Sequence, residues 1–355
     1  MNKSFITILT ISLLLSSCLK DESFKKEYTG WEPVALNDDW PISTPEAEKI
    51  DRTKLEQAFT LLYKDDRYWM ASSMLVIRNG KLVAEAYPHD PGDRDKFANI
   101  QSCTKTITSI TLGIAIQNGV DISVHDKLYD IYPDQFDGDI IKREMTLYDA
   151  LTMQAGLEFN NDKNTLQLYQ TKKNSAGFVL SFPRLHEPGT VMHYNDGAPQ
   201  LVSKAIEAKT GMIEAEYARK NLFEPLNISD WQWESAQDGS TYGAFSLYLK
   251  PRDFAKIGQM LVQNGKWSDQ QIIDPEYLSL ATSHLVNSEN NSPYGLYFWI
   301  DKRNQGFFLD GHGGQILLIV PSKNLVILYT AWPYTSGDYF DNCFEMLNVI
   351  ADGCK

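Results

Sequence analysis

The sequence has few basic residues for its length. Its 355 residues include 33 Lys and Arg against 46 Asp and Glu, which gives a formal net charge of −13. A nucleic-acid-binding protein needs a basic surface that neutralises phosphates, and this composition leaves no domain-sized surplus of positive charge to form one. We therefore expect no nucleic-acid partner.

Cysteine is also scarce, with four residues in the whole chain. So few cysteines cannot form the disulfide framework of a small secreted scaffold, and the fold must depend on its hydrophobic core. The 43% hydrophobic and 12% aromatic content is sufficient for a large core. Because no two of the six His fall at a metal-ligand spacing on a helix, we predict neither a metal site nor a cofactor.

The apolar run at the N terminus is short. It extends from Phe5 to Leu15 after Lys3, whereas a bilayer span needs roughly 20 apolar residues, and this pattern is typical of a secretory signal. The tetrad Leu15-Ser16-Ser17-Cys18 resembles a bacterial lipobox, which implies cleavage before Cys18 and lipidation of its thiol. The alternative is an ordinary signal peptide that contains a Cys.

This pattern predicts a division of the N-terminal region. We expect a signal peptide at residues 1–17, followed by the lipidated Cys18 and a tether through residue 45. The protein would then be an exported bacterial lipoprotein of the cell envelope, on the periplasmic or the outer surface, held on the membrane by its lipid.

Strand patterns occupy the two ends of the remaining chain. Met74 to Ile77 and Leu82 to Tyr87 flank Asn79-Gly80, a strong hairpin signal because both residues tolerate positive φ. Helical periodicity after Asp51, which is a suitable N-cap, and from Asp338 places one helix before and one helix after the strands. The C-terminal strands are predicted at Gly306 to Leu309, Ile316 to Val320 and Leu325 to Thr330.

The sequence between these strands is mostly helical in pattern. Apolar residues recur from Ser102 to Asn118, and Thr146 with Asp149 forms a capping pair. The predicted fold class is therefore α+β, a five-stranded antiparallel sheet flanked by N- and C-terminal helices, with an inserted, mostly helical subdomain. In a single domain at 46–355, we place the sheet part at about 46–100 and 240–355 and the helical part at about 101–239.

Candidate chemistry begins with Ser102-Cys103-Thr104-Lys105, a Ser-x-x-Lys at the start of an apolar helix. Positions i and i+3 share a helix face, so Lys105 can reach the Ser102 hydroxyl, and the helix N-terminus favours a developing oxyanion. The motif alone is weak, because Ser23-Phe24-Lys25-Lys26 also matches it. An N-cap Ser with a solvated Lys is the structural alternative.

Two further segments support a catalytic interpretation. Pro188 to Gly197 places Tyr194 in a turn before a helix, where a phenol can project into a cleft. Asp310-Gly311-His312-Gly313-Gly314-Gln315 leads into a strand, and its glycines let the backbone approach a ligand closely. Each has a structural alternative, which is a packed tyrosine for the first and a tight hairpin for the second.

The three motifs occur in a familiar order. Ser-x-x-Lys, a Tyr-x-Asn variant and His-x-Gly, with Ser102 and Tyr194 separated by 92 residues and Tyr194 and His312 by 118, resemble the serine β-lactamase and penicillin-binding-protein superfamily. The closer resemblance is to the class C β-lactamase-related branch of esterases, D-aminopeptidases and 6-aminohexanoate-dimer-type hydrolases. It covers roughly Asp51 to Ile350. It implies a β-lactamase/DD-peptidase-like fold.

The resemblance also implies an activity and roles for residues. The protein would be a serine hydrolase that forms an acyl-enzyme on Ser102 and hydrolyses a small ester, amide or peptide-like substrate. Lys105 would activate Ser102, and Tyr194 would relay protons to the leaving group. The backbone N–H groups of Ser102 and Gln315 would form the oxyanion hole. We expect burial to lower the pKa of Lys105, so that it exchanges a proton with Tyr194 near neutral pH.

Two departures from the family pattern bear on the substrate. Asp196 stands where β-lactamases carry an Asn that contacts the substrate, and His312-Gly313-Gly314 replaces Lys-Thr-Gly. The fixed positive charge for a β-lactam carboxylate is missing, and Asp196 would repel an anionic substrate or favour an amine. We assign these four residues to substrate binding, with His312 either bonding the substrate or filling the wall. We expect poor β-lactam hydrolysis; the alternative function is a protein that binds β-lactams or peptidoglycan fragments with little or no turnover.

Overall fold

The computed structural model describes residues 26–136, 138–332 and 339–355. The predicted signal peptide and Cys18 lie outside the described residues, as does Asp338, the predicted start of the last helix. Within the described ranges, no helix combines the length and the apolar character that a bilayer span requires.

Helices and strands alternate along the described part of the chain. The helices are α1 (Arg52–Lys64), α2 (Cys103–Gln117), α3 (Leu128–Ile131), α4 (Leu147–Leu151), α5 (Asn161–Gln170), α6 (Ser175–Leu180), α7 (Gly197–Thr210), α8 (Glu214–Ala218), α9 (Pro251–Val262), α10 (Pro275–Ala281) and α11 (Tyr339–Gly353). The strands are β1 (Ala71–Arg78), β2 (Lys81–Ala86), β3 (Ala98–Asn99), β4 (Trp231–Trp233), β5 (Leu247–Leu249), β6 (Lys266–Trp267), β7 (Gln270–Gln271), β8 (Val286–Asn287), β9 (Pro293–Tyr294), β10 (Trp299–Asp301), β11 (Gly306–Gly311), β12 (Gln315–Val320) and β13 (Leu325–Ala331).

The main sheet is antiparallel and joins the two ends of the domain. Its order is β2-β1-β13-β12-β11-β10-β9-β8, and β3, β5 and β4 form a smaller sheet. The five predicted strands are confirmed as β1, β2, β11, β12 and β13. The predicted number of strands is too low, since the described residues contribute eight strands to this sheet. The missed strands β8 to β10 have two or three residues each, too few to show an alternating pattern.

Local signals determine the first helix and the hairpin that follows it. The Asp51 carboxylate accepts hydrogen bonds from the N–H groups of Thr53 and Lys54, which makes it the N-cap of α1. Asn79 and Gly80 have φ values of 51° and 76° in the turn between β1 and β2. Both predictions made from the sequence are therefore confirmed.

The sheet is buried on both faces by two hydrophobic layers. Along β1, Met74 and Val76 point into the layer under α1 and α11, whereas Leu75 and Ile77 point into the larger layer shared with α9 and the helical region. Successive side chains of a strand point to opposite faces, so a strand covered on both sides is apolar at every position. The larger layer continues under α2 and supports the start of that helix.

The described part of the predicted tether, residues 26–45, contacts the folded domain through its tryptophans. The ring of Trp31 stacks on Phe59 at 5.8 Å, and its carbonyl accepts a hydrogen bond from the N–H of Glu85. Trp40 is buried, and its indole N–H donates to the carbonyl of Arg252. The described part of this segment, residues 26–45, therefore packs on the domain, because burial of two tryptophans outweighs the entropy of ordering the chain.

We predict that Trp31→Ala lowers the free energy of unfolding by about 3–5 kcal/mol, since it empties a packed site. Urea denaturation measures this loss. Tyr28→Ala is the matched control, because Tyr28 is 66% exposed in the same segment, and we expect it to change stability by less than about 1 kcal/mol. Equal, small effects of the two changes would contradict the packing of this segment.

Candidate active site

A tight turn places Ser102 at the N-cap position of α2. Gln101 has a φ of 51°, a left-handed conformation that is uncommon for a residue other than Gly. Its N–H donates to the Asn99 side chain at 2.9 Å, and the N–H of Ile100 donates to the carbonyl of Leu247. The turn is thus held by β3 and β5, and such constrained turns are typical of functional sites.

Lys105 lies one turn along α2, and its side chain is only 1% exposed. Its ammonium donates to the Ser102 hydroxyl at 2.9 Å, to the Asp196 carboxylate at 2.7 Å and to the carbonyl of Ala244 at 3.1 Å. A charged lysine has three N–H donors, and here each has an acceptor. The predicted contact between Lys105 and Ser102 is confirmed.

Asp196 is fixed by α5 as well as by Lys105. Its second carboxylate oxygen accepts a hydrogen bond from the Thr165 hydroxyl at 2.6 Å, and its N–H donates to the Asn161 side chain at 2.8 Å. The expectation that Asp196 repels anionic substrates does not fit this arrangement. Its negative charge is balanced by Lys105, so the residue acts first on the lysine.

The expected direction of the Lys105 pKa shift is wrong. Burial lowers the pKa of Lys105, but the adjacent Asp196 carboxylate and Tyr194 outweigh burial, and the pKa is raised overall. Burial also raises the pKa of Tyr194, against the opposing effects of Lys105 and of a hydrogen bond with Ser102. The resting site therefore contains an ammonium and a neutral phenol.

The ring of Tyr194 lies close to Lys105. The ammonium of Lys105 lies 5.0 Å from the centre of the Tyr194 ring. The ring is held by Trp299, at 5.9 Å between centroids, and by the edge of Tyr294, at 6.3 Å. The structure thus brings Ser102, Lys105 and Tyr194 together, as the sequence predicts.

The glycine turn after β11 lies beside the nucleophile turn. A Cβ atom on Gly311 would stand 2.4 Å from the carbonyl of Ile100, so only Gly fits at this contact. Gly313 and Gly314 have φ values of 79° and 92° and reverse the chain. Within this motif, His312 is exposed and lines the cavity.

Gln315 is the first residue of β12, directly after the glycine turn. It is 0% exposed, its side-chain amide donates to the carbonyl of Ala331 at 2.6 Å, and its carbonyl accepts from the Cys103 thiol at 3.3 Å. The bond from the Cys103 thiol places the Gln315 backbone against the first turn of α2. The role of its backbone N–H in an oxyanion hole stays a prediction.

These elements enclose a cavity of about 660 Å³ with an acidic and aromatic lining. None of the described residues that line it is Lys or Arg. The carboxylates are Asp162, Asp196 and Asp310; the aromatic residues are Tyr169, Tyr194, Phe245, Tyr248 and Trp299. The cavity opens on Ser102, which makes it the candidate active site.

Asp310 is the lining residue that the sequence-based assignment missed. One oxygen of its carboxylate, Oδ1, is buried and has no hydrogen-bond partner among the described residues. Burial raises its pKa to about 7, and Lys105 opposes that shift. The available signal was an acidic residue at the end of the apolar strand Gly306 to Leu309, directly before the glycine turn.

A family model described as Beta-lactamase matches residues 70–341 of this chain. The chain belongs to the beta-lactamase family. Membership of this family makes the protein a hydrolase of the serine type, and it confirms the resemblance carried by the three motifs. A comparison with curated proteins finds no match.

Solved structures share the fold of this beta-lactamase family member. A Bacillus anthracis protein provisionally named a 6-aminohexanoate-dimer hydrolase is 20% identical, with a TM-score of 0.73 over 90% of each chain. The D-amino acid amidase from Ochrobactrum anthropi SV3 is 15% identical, with a TM-score of 0.66 over 84% of this chain and 98% of that one. A family VIII carboxylesterase is 14% identical, with a TM-score of 0.68 over 91% of this chain and 99% of that one. The predicted β-lactamase-like fold class is confirmed.

We predict that Asp196→Asn lowers the pKa of Lys105, since it removes the charge that outweighs burial. If the charged lysine is needed, the basic limb of the pH profile of kcat/KM should move to lower pH, with a loss of at least about tenfold near neutral pH. Hydrolysis of p-nitrophenyl acetate between about pH 6 and about pH 10 measures both effects.

Asp162→Asn is the matched control for this measurement. It makes the same chemical change at an exposed residue of the same cavity, and Asp162 is not among the groups that shift the pKa of Lys105. Its basic limb should coincide with that of the wild type. A limb that stays in place in Asp196→Asn would contradict the coupling of Asp196 and Lys105.

Proposed function

We propose that this protein forms an acyl-enzyme on Ser102 and hydrolyses a small ester or amide. The observation that carries the proposal is the hydrogen bond from the buried Lys105 ammonium to the Ser102 hydroxyl, in a cavity that Tyr194 also lines. Serine hydrolysis proceeds through such an activated hydroxyl and a covalent intermediate. The names of two neighbours, an amidase and a carboxylesterase, describe the same reaction class.

During acylation, Tyr194 accepts one proton and donates another. As the Ser102 oxygen bonds to the substrate carbonyl carbon, its proton passes to the Tyr194 oxygen, and the proton of that phenol passes to the leaving group. The leaving group departs as an alcohol or an amine. In the second half, water takes the place of that group, and its proton returns through Tyr194 to the Ser102 oxygen.

Lys105 keeps its proton throughout this sequence. Its positive charge stabilises negative charge that develops on the Ser102 oxygen, which is an electrostatic role and not that of a neutral base. The raised pKa values of Lys105 and Tyr194 agree with this division. No group has to lose a proton before the substrate arrives.

The oxyanion of the tetrahedral intermediate needs N–H donors beside the Ser102 oxygen. The N–H groups of Cys103, Thr104 and Lys105 already bond to carbonyls of the preceding turn, so the donor available from α2 is that of Ser102. We assign the second donor to the N–H of Gln315, because the bond from the Cys103 thiol to its carbonyl holds the Gln315 backbone against the first turn of α2. The absence of Lys and Arg among the described lining residues supports poor β-lactam hydrolysis, since a β-lactam carries a carboxylate.

We predict that Ser102→Ala abolishes turnover of p-nitrophenyl acetate and covalent labelling by a fluorophosphonate, because it removes the attacking oxygen. Labelling is measured by the mass of the intact protein. Ser246→Ala is the matched control, since its hydroxyl lines the same cavity but bonds to Tyr169, and it should still be labelled. Labelling of Ser102→Ala would overturn the assignment, and a wild-type acyl adduct that never hydrolyses would favour the binding protein.

We also propose that Cys18 is lipidated and that the protein is anchored in the cell envelope; the lipobox-like tetrad supports this. In a bacterium that expresses the full chain, the wild type should occur in the membrane fraction, and Cys18→Ala should not. Cys354→Ala, a cysteine change in the folded domain, should stay with the membrane. Equal membrane fractions for all three proteins would overturn the proposal.

A further inference from the structure

The charges of the catalytic cavity do not balance. Asp196 is neutralised by Lys105, whereas Asp162 lies exposed in the lining and Asp310 lies deeper. The Lys105 ammonium already has three acceptors, none of which is Asp310. A net negative charge therefore faces the space next to Ser102.

Asp310 lies in β11, paired with Ile316 of β12, and its Oδ1 atom is buried without a hydrogen-bond partner among the described residues. Of the described titratable groups that interact with it electrostatically, one, Lys105, brings a positive charge. These groups are Cys103 and Lys105 of α2, Tyr194, Tyr294 of β9 and Cys343 of α11. The folded protein therefore provides few interactions that replace the water which the Asp310 carboxylate loses on burial.

Such a carboxylate destabilises the empty enzyme. The pKa of Asp310 is raised from 3.8 to about 7, so between these values the folded state binds more protons than the unfolded state. Stability contributed by the protonated group is lost as the pH rises through this range. Retention of a destabilising group in a cavity beside a nucleophile points to a ligand that supplies the missing partner.

We propose that Asp310 binds a primary ammonium group of the substrate, so that the enzyme acts on an amine-bearing ester or amide. This inference rests on the proposed hydrolase function. Because Asp310 lines the cavity, an ammonium there would donate to its carboxylate in a charge-assisted hydrogen bond. The rings of Trp299 and Tyr248 in the same lining suit a cation, because aromatic faces attract positive charge.

Benzylammonium chloride and neutral benzyl alcohol test this recognition, because they differ in charge and have similar shapes. At about pH 8, where Asp310 is ionised, benzylammonium should inhibit wild-type hydrolysis of p-nitrophenyl acetate at least about tenfold more strongly than benzyl alcohol, as expected for a hydrogen bond between charged groups. Asp310→Asn should remove this preference. Equal inhibition of the wild type by the two compounds, or a preference retained in Asp310→Asn, overturns the proposal.

Asp162→Asn is the matched control for the charge of the cavity. It removes the same formal charge from an exposed carboxylate, so the preference for benzylammonium should largely persist. An equal loss in Asp162→Asn and Asp310→Asn would show a general field of the cavity and would overturn a specific site. Because Asn has the shape of Asp and removes a buried charge, Asp310→Asn should fold, and its thermal unfolding checks this.

Substrate pairs extend the test to turnover. One pair is 5-aminopentanoyl and hexanoyl p-nitroanilide, and the other is the acetate esters of 4-aminobutanol and pentanol; each pair exchanges an ammonium for a methyl group. In at least one pair, wild-type kcat/KM should favour the ammonium by about tenfold or more, and Asp310→Asn should reduce the ratio to about one. No preference in either pair overturns the proposal.

Failure of the ammonium site and failure of the serine hydrolase function would give different results. A wild type that hydrolyses charged and neutral partners equally retains the serine hydrolase function and refutes the ammonium site. A Ser102→Ala enzyme that still hydrolyses refutes the proposed function. Calorimetric titration of Ser102→Ala with benzylammonium then decides the Asp310 site without turnover, since binding supports it and no binding overturns it.

Discussion

The buried positive charge of Lys105 is the interaction on which the rest of the site depends. An ammonium removed from water is tolerated only where acceptors replace its hydration. The three acceptors come from separate parts of the chain, namely Ser102 at the start of α2, Asp196 before α7 and Ala244 before β5. One charge thus ties the nucleophile, the helical region and the small sheet together, and any loss of an acceptor affects all three.

Two carboxylates near this charge have opposite environments. Asp196 bonds directly to Lys105 and to Thr165, so both of its carboxylate oxygens have partners within the protein. Asp310 has a buried oxygen without a partner among the described residues. Pairs of titratable groups in contrasting environments are typical of sites that divide several tasks among similar residues. Here one carboxylate raises the pKa of Lys105, and the other is the one for which we propose a substrate ammonium.

Local patterns were sufficient for much of the fold and for the catalytic trio. The cap at Asp51, the Asn79-Gly80 turn and the five longer strands depend on neighbouring residues, and the motifs brought Ser102, Lys105 and Tyr194 to one cavity. Features set by distant contacts were not predictable in this way. The lysine pKa depends on a carboxylate 91 positions away. Packing of residues 26–45 depends on the surfaces that Trp31 and Trp40 contact in the folded domain. The missing hydrogen-bond partner of Asp310 leaves no pattern in the sequence.

The pairing of β1 with β13 determines when this enzyme can fold. Met74 of β1 pairs with Tyr329 of β13, so β1 lacks this neighbour in the sheet until β13 has been synthesised. Contacts at such separation close slowly, and until then the first hairpin presents an unpaired edge that favours aggregation. The glycine turn beside Ser102 belongs to the same late segment. A partly synthesised chain therefore contains Ser102 and Lys105 without the cavity around Ser102, which forms only after nearly the whole domain has assembled.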